Sequence, residues 1–238
     1  MFARLEALLI DRMQRAPTPG QRITYYRAFL GLATSDNARN ALKQILAGHL
    51  KGNPRITPTA PLANAGLPTL RTKDKFDIVT RLMVLGDPDA PRLLAQLEKT
   101  ETSDEARRYA YAARAGLATP ENKAKYWNDF INNKDISESW IEAAFVPFNA
   151  TSHADLTLPY LERALAELPN LKRSRKIFFI NGWLSAFIGG QRSPEALAII
   201  NKFLADNPNL DRDLRLKILE NSDLIERAVK IRGKFKND

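Results

Sequence analysis

The sequence predicts an all-α protein built from stacked antiparallel helix pairs. Three observations predict it. Apolar residues recur at three- and four-residue spacing along most of the chain, strict two-residue alternation is nearly absent, and the periodic stretches are separated by short breaks of Pro, Gly, Asn and Asp.

The elements follow in order. A first helix carries Leu5, Leu8, Leu9 and Met13 on one face, a second Ile23, Tyr26, Phe29 and Leu30, and a third Ala38, Leu42, Ile45 and Leu46. The connections PTPG and TSDN are short enough to make these helices antiparallel neighbours. Next comes KGNPRITPTAPLANAGLPTL, with four prolines, two glycines and no helical face. The domain organisation expected is therefore residues 1–50 as the N-terminal helices of the array, 51–71 as an extended connection, and 72–238 as the main helical-repeat domain. Within the last, helical periodicity covers 72–86, 88–100, 103–116, 120–132, 137–147, 152–168, 171–189, 193–206 and 210–231. Helix pairs in this succession predict an α-solenoid of the HEAT or armadillo kind, wound into a right-handed superhelix. The spacing is too irregular to define a repeat, and a globular bundle is the alternative.

Loop chemistry fixes several boundaries. TPEN and SPEA each supply a hydroxyl N-cap (Thr119, Ser193), a proline at the first helical position (Pro120, Pro194) and a first-turn glutamate (Glu121, Glu195). The acidic pairs Asp87 with Asp89 and Asp211 with Asp213 flank turns at helix starts, where carboxylates cap N–H groups. The stretch KIFFINGWLSAFIGGQRSPEAL raises a sharper choice between a phosphate cradle and a helix ending. A phosphate-binding loop requires G-x-x-x-x-G-K-[ST] after a buried strand, and Gly189-Gly190-Gln191-Arg192 follows a helix without that spacing or its lysine. The reading is a helix ending in left-handed glycine geometry before Ser193 opens the next. Phe179, Trp183 and Phe187 recur every four residues, and Ile177, Ile180, Leu184 and Ile188 fill the adjacent stripe. A helix apolar on most of its circumference belongs at the centre of the fold.

Composition excludes several function classes. No apolar run approaches the length of a membrane span, and the charged N-terminal stretch lacks the uninterrupted apolar segment of a signal peptide. With no cysteine there is no disulfide, thiolate metal site or cysteine nucleophile, and the compartment stays open. The net charge of +9 is concentrated at the two ends: residues 1–50 hold seven Lys/Arg against three Asp/Glu, and residues 171–238 fourteen against eight. Of the two histidines, His49 ends a helix beside a glycine and His153 lies in the opening turn of its helix, where exposure is expected. Neither occupies a zinc spacing. No G-x-S-x-G elbow occurs, and Asn149-Ala150-Thr151 is a formal glycosylation sequon. On its own residues the chain is non-catalytic, with no residue assigned a catalytic, cofactor-binding or metal-binding role.

The second half carries a resemblance. Lys123 and Trp127, Phe148-Asn149, Leu158-Pro159-Tyr160-Leu161, and Glu226-Arg227 with Ile231-Arg232 are spaced as in the C-terminal helical domain of zinc aminopeptidases of the aminopeptidase N type. Upstream, AGLPTLRTKDKFDIVTRLMVLGDPDA resembles that domain's early segment, so the likeness covers about residues 65–232. The resemblance implies a superhelical bowl that closes over a catalytic cleft, limits access and touches the far end of a peptide. It places the chemistry in an upstream catalytic domain, with zinc held by H-E-x-x-H and a distant glutamate, a G-x-M-E-N segment, and an oxyanion-stabilising tyrosine. Neither motif occurs here, so no cofactor is expected in this chain. The implied partners are the catalytic domain of the same polypeptide and peptide substrates, with no membrane. A basic inner surface would favour a peptide's carboxylate end. Two other readings stand beside this one: a free-standing helical-repeat scaffold for protein binding and, ranked last, a basic helical-repeat nucleic-acid binder.

Overall fold

The computed structural model describes residues 2–48 and 70–235, which contain thirteen α-helices, one 3₁₀ turn and no strand. The helices are α1 Phe2–Arg15, α2 Pro19–Leu32, α3 Asp36–Leu46, α4 Thr72–Val84, α5 Ala90–Thr100, α6 Asp104–Ala115, α7 Pro120–Asn132, α8 Glu138–Phe148, α9 Ala154–Ala166, α10 Leu168–Ser174, α11 Ile177–Gly189, α12 Pro194–Asp206 and α13 Arg212–Lys234. The all-α expectation holds across these residues. Positions 49–69, which include His49 and all but the last two residues of the expected connection, lie outside the described residues. The chain forms two compact units, Met1–Ala110 and Tyr111–Asp238, the division falling inside α6.

In the first unit α1 packs on α2, α4 on α2 and α3, and α5 on α4. Thr18 caps α2 by accepting from the Gln21 amide while Gln21 accepts from the Thr18 amide, a reciprocal capping box. The face of α1 differs from expectation: Leu9 and Met13 are buried together with Glu6, whereas Leu5 and Leu8 are exposed. The reason is a carboxylate in the core. Glu6 Oε1 accepts from the Thr34 and Ser35 backbone amides at 2.7 and 3.1 Å, and Oε2 from Ser35 Oγ at 2.6 Å. Ser35 in turn caps α3. Burial alone would raise the Glu6 pKa, but the bonds from Ser35 and Thr34 outweigh it and hold it below the usual glutamate value. At the far end of α4, Gly86 adopts φ +65°, with Gly86 N–H donating to Met83 O and Asp87 N–H to Leu82 O, a Schellman ending that only glycine enters cheaply.

The second unit is layered. α8, α11 and α13 lie side by side in one row, and α7, α9 and α12 cover them in another. α8 and α11 run parallel: Arg175 meets Glu138 at their start, and Gly190 meets Asn149 at their end. α9 runs against α11, so that Trp183 Nε1 donates to Ala164 O at 3.0 Å. α13 runs against α12, with Arg215 reaching Leu204 O and Arg232 reaching Arg192 O. Thr119, Ser193 and Asp211 each cap a helix as their sequences predict.

α11 sits at the centre, as its composition requires. Phe179, Trp183 and Phe187 are buried, and Trp183 has ring neighbours in Trp127, Phe130, Phe145, Phe179 and Phe187. Ile177 departs from the expectation: it stands in the first turn and is exposed. The helix expected over 171–189 is broken, because Arg175 and Lys176 are extended and separate the short α10 from α11.

Candidate functional site

Two of the most exposed large apolar side chains in the second unit stand on neighbouring helices. Val146 of α8 is 72% exposed and Phe178 of α11 is 78% exposed. Val146 follows Phe145 by one residue and Phe178 precedes Phe179 by one, and the rings of Phe145 and Phe179 meet at 5.2 Å between the two helices. In parallel helices a step of +100° on one and −100° on the other leads to the same side of the pair. Val146 and Phe178 therefore stand on one side of the α8–α11 layer, Phe178 at the start of α11 and Val146 near the end of α8.

The electrostatics of this face are uneven. Arg175 is engaged by Glu138 at 3.2 Å and lies over the Phe179 ring at 5.0 Å. Lys176, the N-cap residue of α11, makes no side-chain cap bond and has no ion pair among the described residues. Glu142 on α8 has its pKa raised, first by burial and then by the neighbouring Glu138. The side thus carries two separated apolar groups, an exposed ammonium at the start of α11 and, one turn before Val146, the Glu142 carboxylate.

The C-terminal ends of α8 and α11 enclose polar groups that the sequence did not announce. Gly190 has φ −74°, so the left-handed ending expected for Gly189-Gly190 is not formed. Glycine is required there for a different reason: a Cβ at 190 would stand 2.4 Å from the carbonyl oxygen of Asn149. Gln191 turns inward and donates Nε2 to Thr157 Oγ1 at 2.9 Å, and Arg192 folds back onto Gly189 O at 2.7 Å. His153 opens its helix as expected but is buried, not exposed, among these groups. Asn149 is 3% exposed, with its Nδ2 donating to Phe145 O. Gly-Gly-Gln-Arg is thus a packed helix ending.

Lys123 is a fully buried cation. Its Nζ donates to Ala115 O at 3.0 Å and Phe148 O at 2.7 Å, the last residues of α6 and α8, and lies 4.9 Å from the Phe148 ring centroid. Burial pushes its pKa down to about 8. The ammonium answers the partial negative charge of two helix C-termini. The sequence did carry a signal for this, since Lys123, Tyr126 and Phe130 share the buried face of α7.

Two other features carry less. A surface depression of about 640 Å³ beside the α12–α13 turn has Lys172 paired to Asp211 at 2.6 Å and Arg173 hydrogen-bonded to Asn170. Among the described residues no three His, Cys, Asp or Glu side chains converge as a metal would need, and no helix is long and apolar enough to cross a membrane. Zinc therefore has no fitting set of ligands among them.

No curated protein matches the sequence. A family model described as the ERAP1-like C-terminal domain matches residues 5–227, nearly the whole chain. The chain belongs to the ERAP1-like C-terminal domain family, that of C-terminal domains of aminopeptidase-type proteins.

Proposed function

We propose that the chain is the non-catalytic domain that caps the catalytic cleft of a zinc aminopeptidase and limits or guides the entry of peptides. In this reading zinc and the reacting groups belong to the catalytic domain of the same polypeptide. The paired helix rows form part of a HEAT- or armadillo-like right-handed superhelix, and the α8–α11 face looks into the cleft. The observations that support the reading are the exposed Phe178 and Val146 on one side of the α8–α11 pair and the exposed Lys176 at the start of α11, groups suited to an apolar residue and the carboxylate at a peptide's far end.

Fluorescence anisotropy tests it. A labelled peptide ending in leucine should bind the chain more tightly as the free acid than as the amide, by about tenfold if one charge-assisted hydrogen bond is lost. Raising salt should erase that difference, and Phe178→Ser should weaken both peptides, because covering a phenylalanine contributes about 1.5–3 kcal/mol. If the amide, the salt and the substitution all leave affinity unchanged, this face does not receive peptides.

A further inference from the structure

The last helix, α13, is apolar on two opposite sides. Leu214, Ile218 and Ile225 turn inward, and the helix packs on α11 and α12. Leu216, Leu219, Leu224 and Ile231 are each 45–59% exposed. At 100° per residue these four fall with Glu220 and Arg227 in a strip opposite the buried face. The strip runs along a helix of about 35 Å, and exposed apolar strips of this kind mark interaction surfaces.

The charges say what fits it. Asp213 pairs with Lys217, Asp223 with Arg227 and Glu226 with Lys230, all within the helix, while Glu220 and Lys234 have no ion-pair partner among the described residues. About the midpoint of the strip, between Asp223 and Leu224, Asp213 and Glu220 mirror basic positions, while at the margin Lys217 mirrors Lys230, each already paired within its own helix. Glu220 stands as far before it as Arg227 stands after it, Asp213 mirrors Lys234, and Leu216 mirrors Ile231.

We propose that this strip is a twofold interface between two copies of the chain, with their α13 helices packed antiparallel. A twofold contact must be complementary to itself. Antiparallel pairing sets Glu220 against Arg227, Asp213 against Lys234 and Leu216 against Ile231, each pair occurring twice. Parallel pairing would set Glu220 against Glu220 and Arg227 against Arg227. A partner of one charge sign would meet both signs on the same strip, so a second copy suits it better than a uniformly acidic or basic protein. The interface is independent of the cleft-capping reading, since it uses α13 and leaves the α8–α11 face free.

Sedimentation velocity of the full chain across a series of concentrations, from low micromolar to hundreds of micromolar, tests the pairing. The wild-type chain should move from 26.8 kDa toward twice that mass. Leu224→Asp should keep it monomeric with an unchanged helical melting curve, since the side chain touches solvent in the monomer. Glu220→Arg should weaken association at least about tenfold by placing arginine against arginine, and adding Arg227→Glu should restore it. A wild-type chain that stays at 26.8 kDa throughout overturns the proposal. So does association that ignores these substitutions, or a charge exchange that fails to restore pairing in a folded chain.

Discussion

Gly190 offers a substitution for which two physical arguments predict opposite signs. Its backbone lies in the ordinary right-handed region, at φ −74° and ψ −14°. By conformational entropy alone, Gly190→Ala should stabilise the protein by about 0.4–1 kcal/mol. The contact argument opposes this. The added methyl would stand 2.4 Å from Asn149 O, 3.0 Å from Asn149 Cβ and 3.1 Å from Ala186 O, and two of these are backbone atoms that cannot rotate away. Overpacking of this kind costs about 1–3 kcal/mol, so the net expectation is destabilisation by about 1–2 kcal/mol. For a folding unit of this size that lowers the melting temperature by roughly 3–8 °C. All three tryptophans, Trp127, Trp140 and Trp183, lie in the second unit, so tryptophan fluorescence on heating follows that unit alone. Gly189→Ala is the control: nothing lies within 4 Å of its added methyl, and it should raise the melting temperature slightly. If Gly190→Ala melts at or above the wild-type temperature, the close approach of α8 to the end of α11 is not what requires glycine there.

Two further predictions concern buried charges. Lys123 has a folded pKa of about 8 against an ordinary 10.5, so between these values the unfolded chain holds a proton that the native chain lacks, and stability should rise with pH across that window. Urea unfolding at pH 7 and pH 10 should show the wild type gaining about 2–3 kcal/mol relative to Lys123→Met, and a difference that does not change with pH would refute the assignment. For Glu6 the depressed pKa means that its contribution is complete above the unfolded value and is lost as pH falls through the lower folded value. Glu6→Gln should remove part of the first unit's stability at neutral pH, by about 1–3 kcal/mol, and flatten its acid unfolding curve. A variant as stable as wild type at pH 7 would mean that the bonds to Thr34 and Ser35 contribute nothing net.

The helices and their order were legible because this chain marks its boundaries chemically. Thr119-Pro120-Glu121 and Ser193-Pro194-Glu195 begin α7 and α12 where their residue types say they should. Phe179, Trp183 and Phe187 declared the central helix through their spacing alone. What failed to show depended on residues distant in sequence. Glu6 is buried because Thr34 and Ser35 come to it, so the face of α1 cannot be read from α1 by itself. His153 is buried by an ending of α11 more than thirty residues away. Gly190 looked like a backbone conformer because Asn149, which closes on it, belongs to a different helix pair. The break between α10 and α11 had no glycine or proline at Arg175-Lys176 to announce it. For Val146 and Phe178, the amino acids were visible, but their shared orientation required the parallel register of α8 and α11.

The burial of Asn149 bears on how the protein can be made. Asn149-Ala150-Thr151 satisfies an oligosaccharyltransferase, which modifies chains before they finish folding. A sugar on that side chain would be attached at Nδ2, the atom that donates to Phe145 O in the interior, with Gly190 pressed against the same residue's carbonyl. A glycosylated chain could not close this junction, so secretion from yeast or mammalian cells would yield a mixture in which the modified fraction is trapped short of the native state. Production in a cytosol without the transferase avoids that trap.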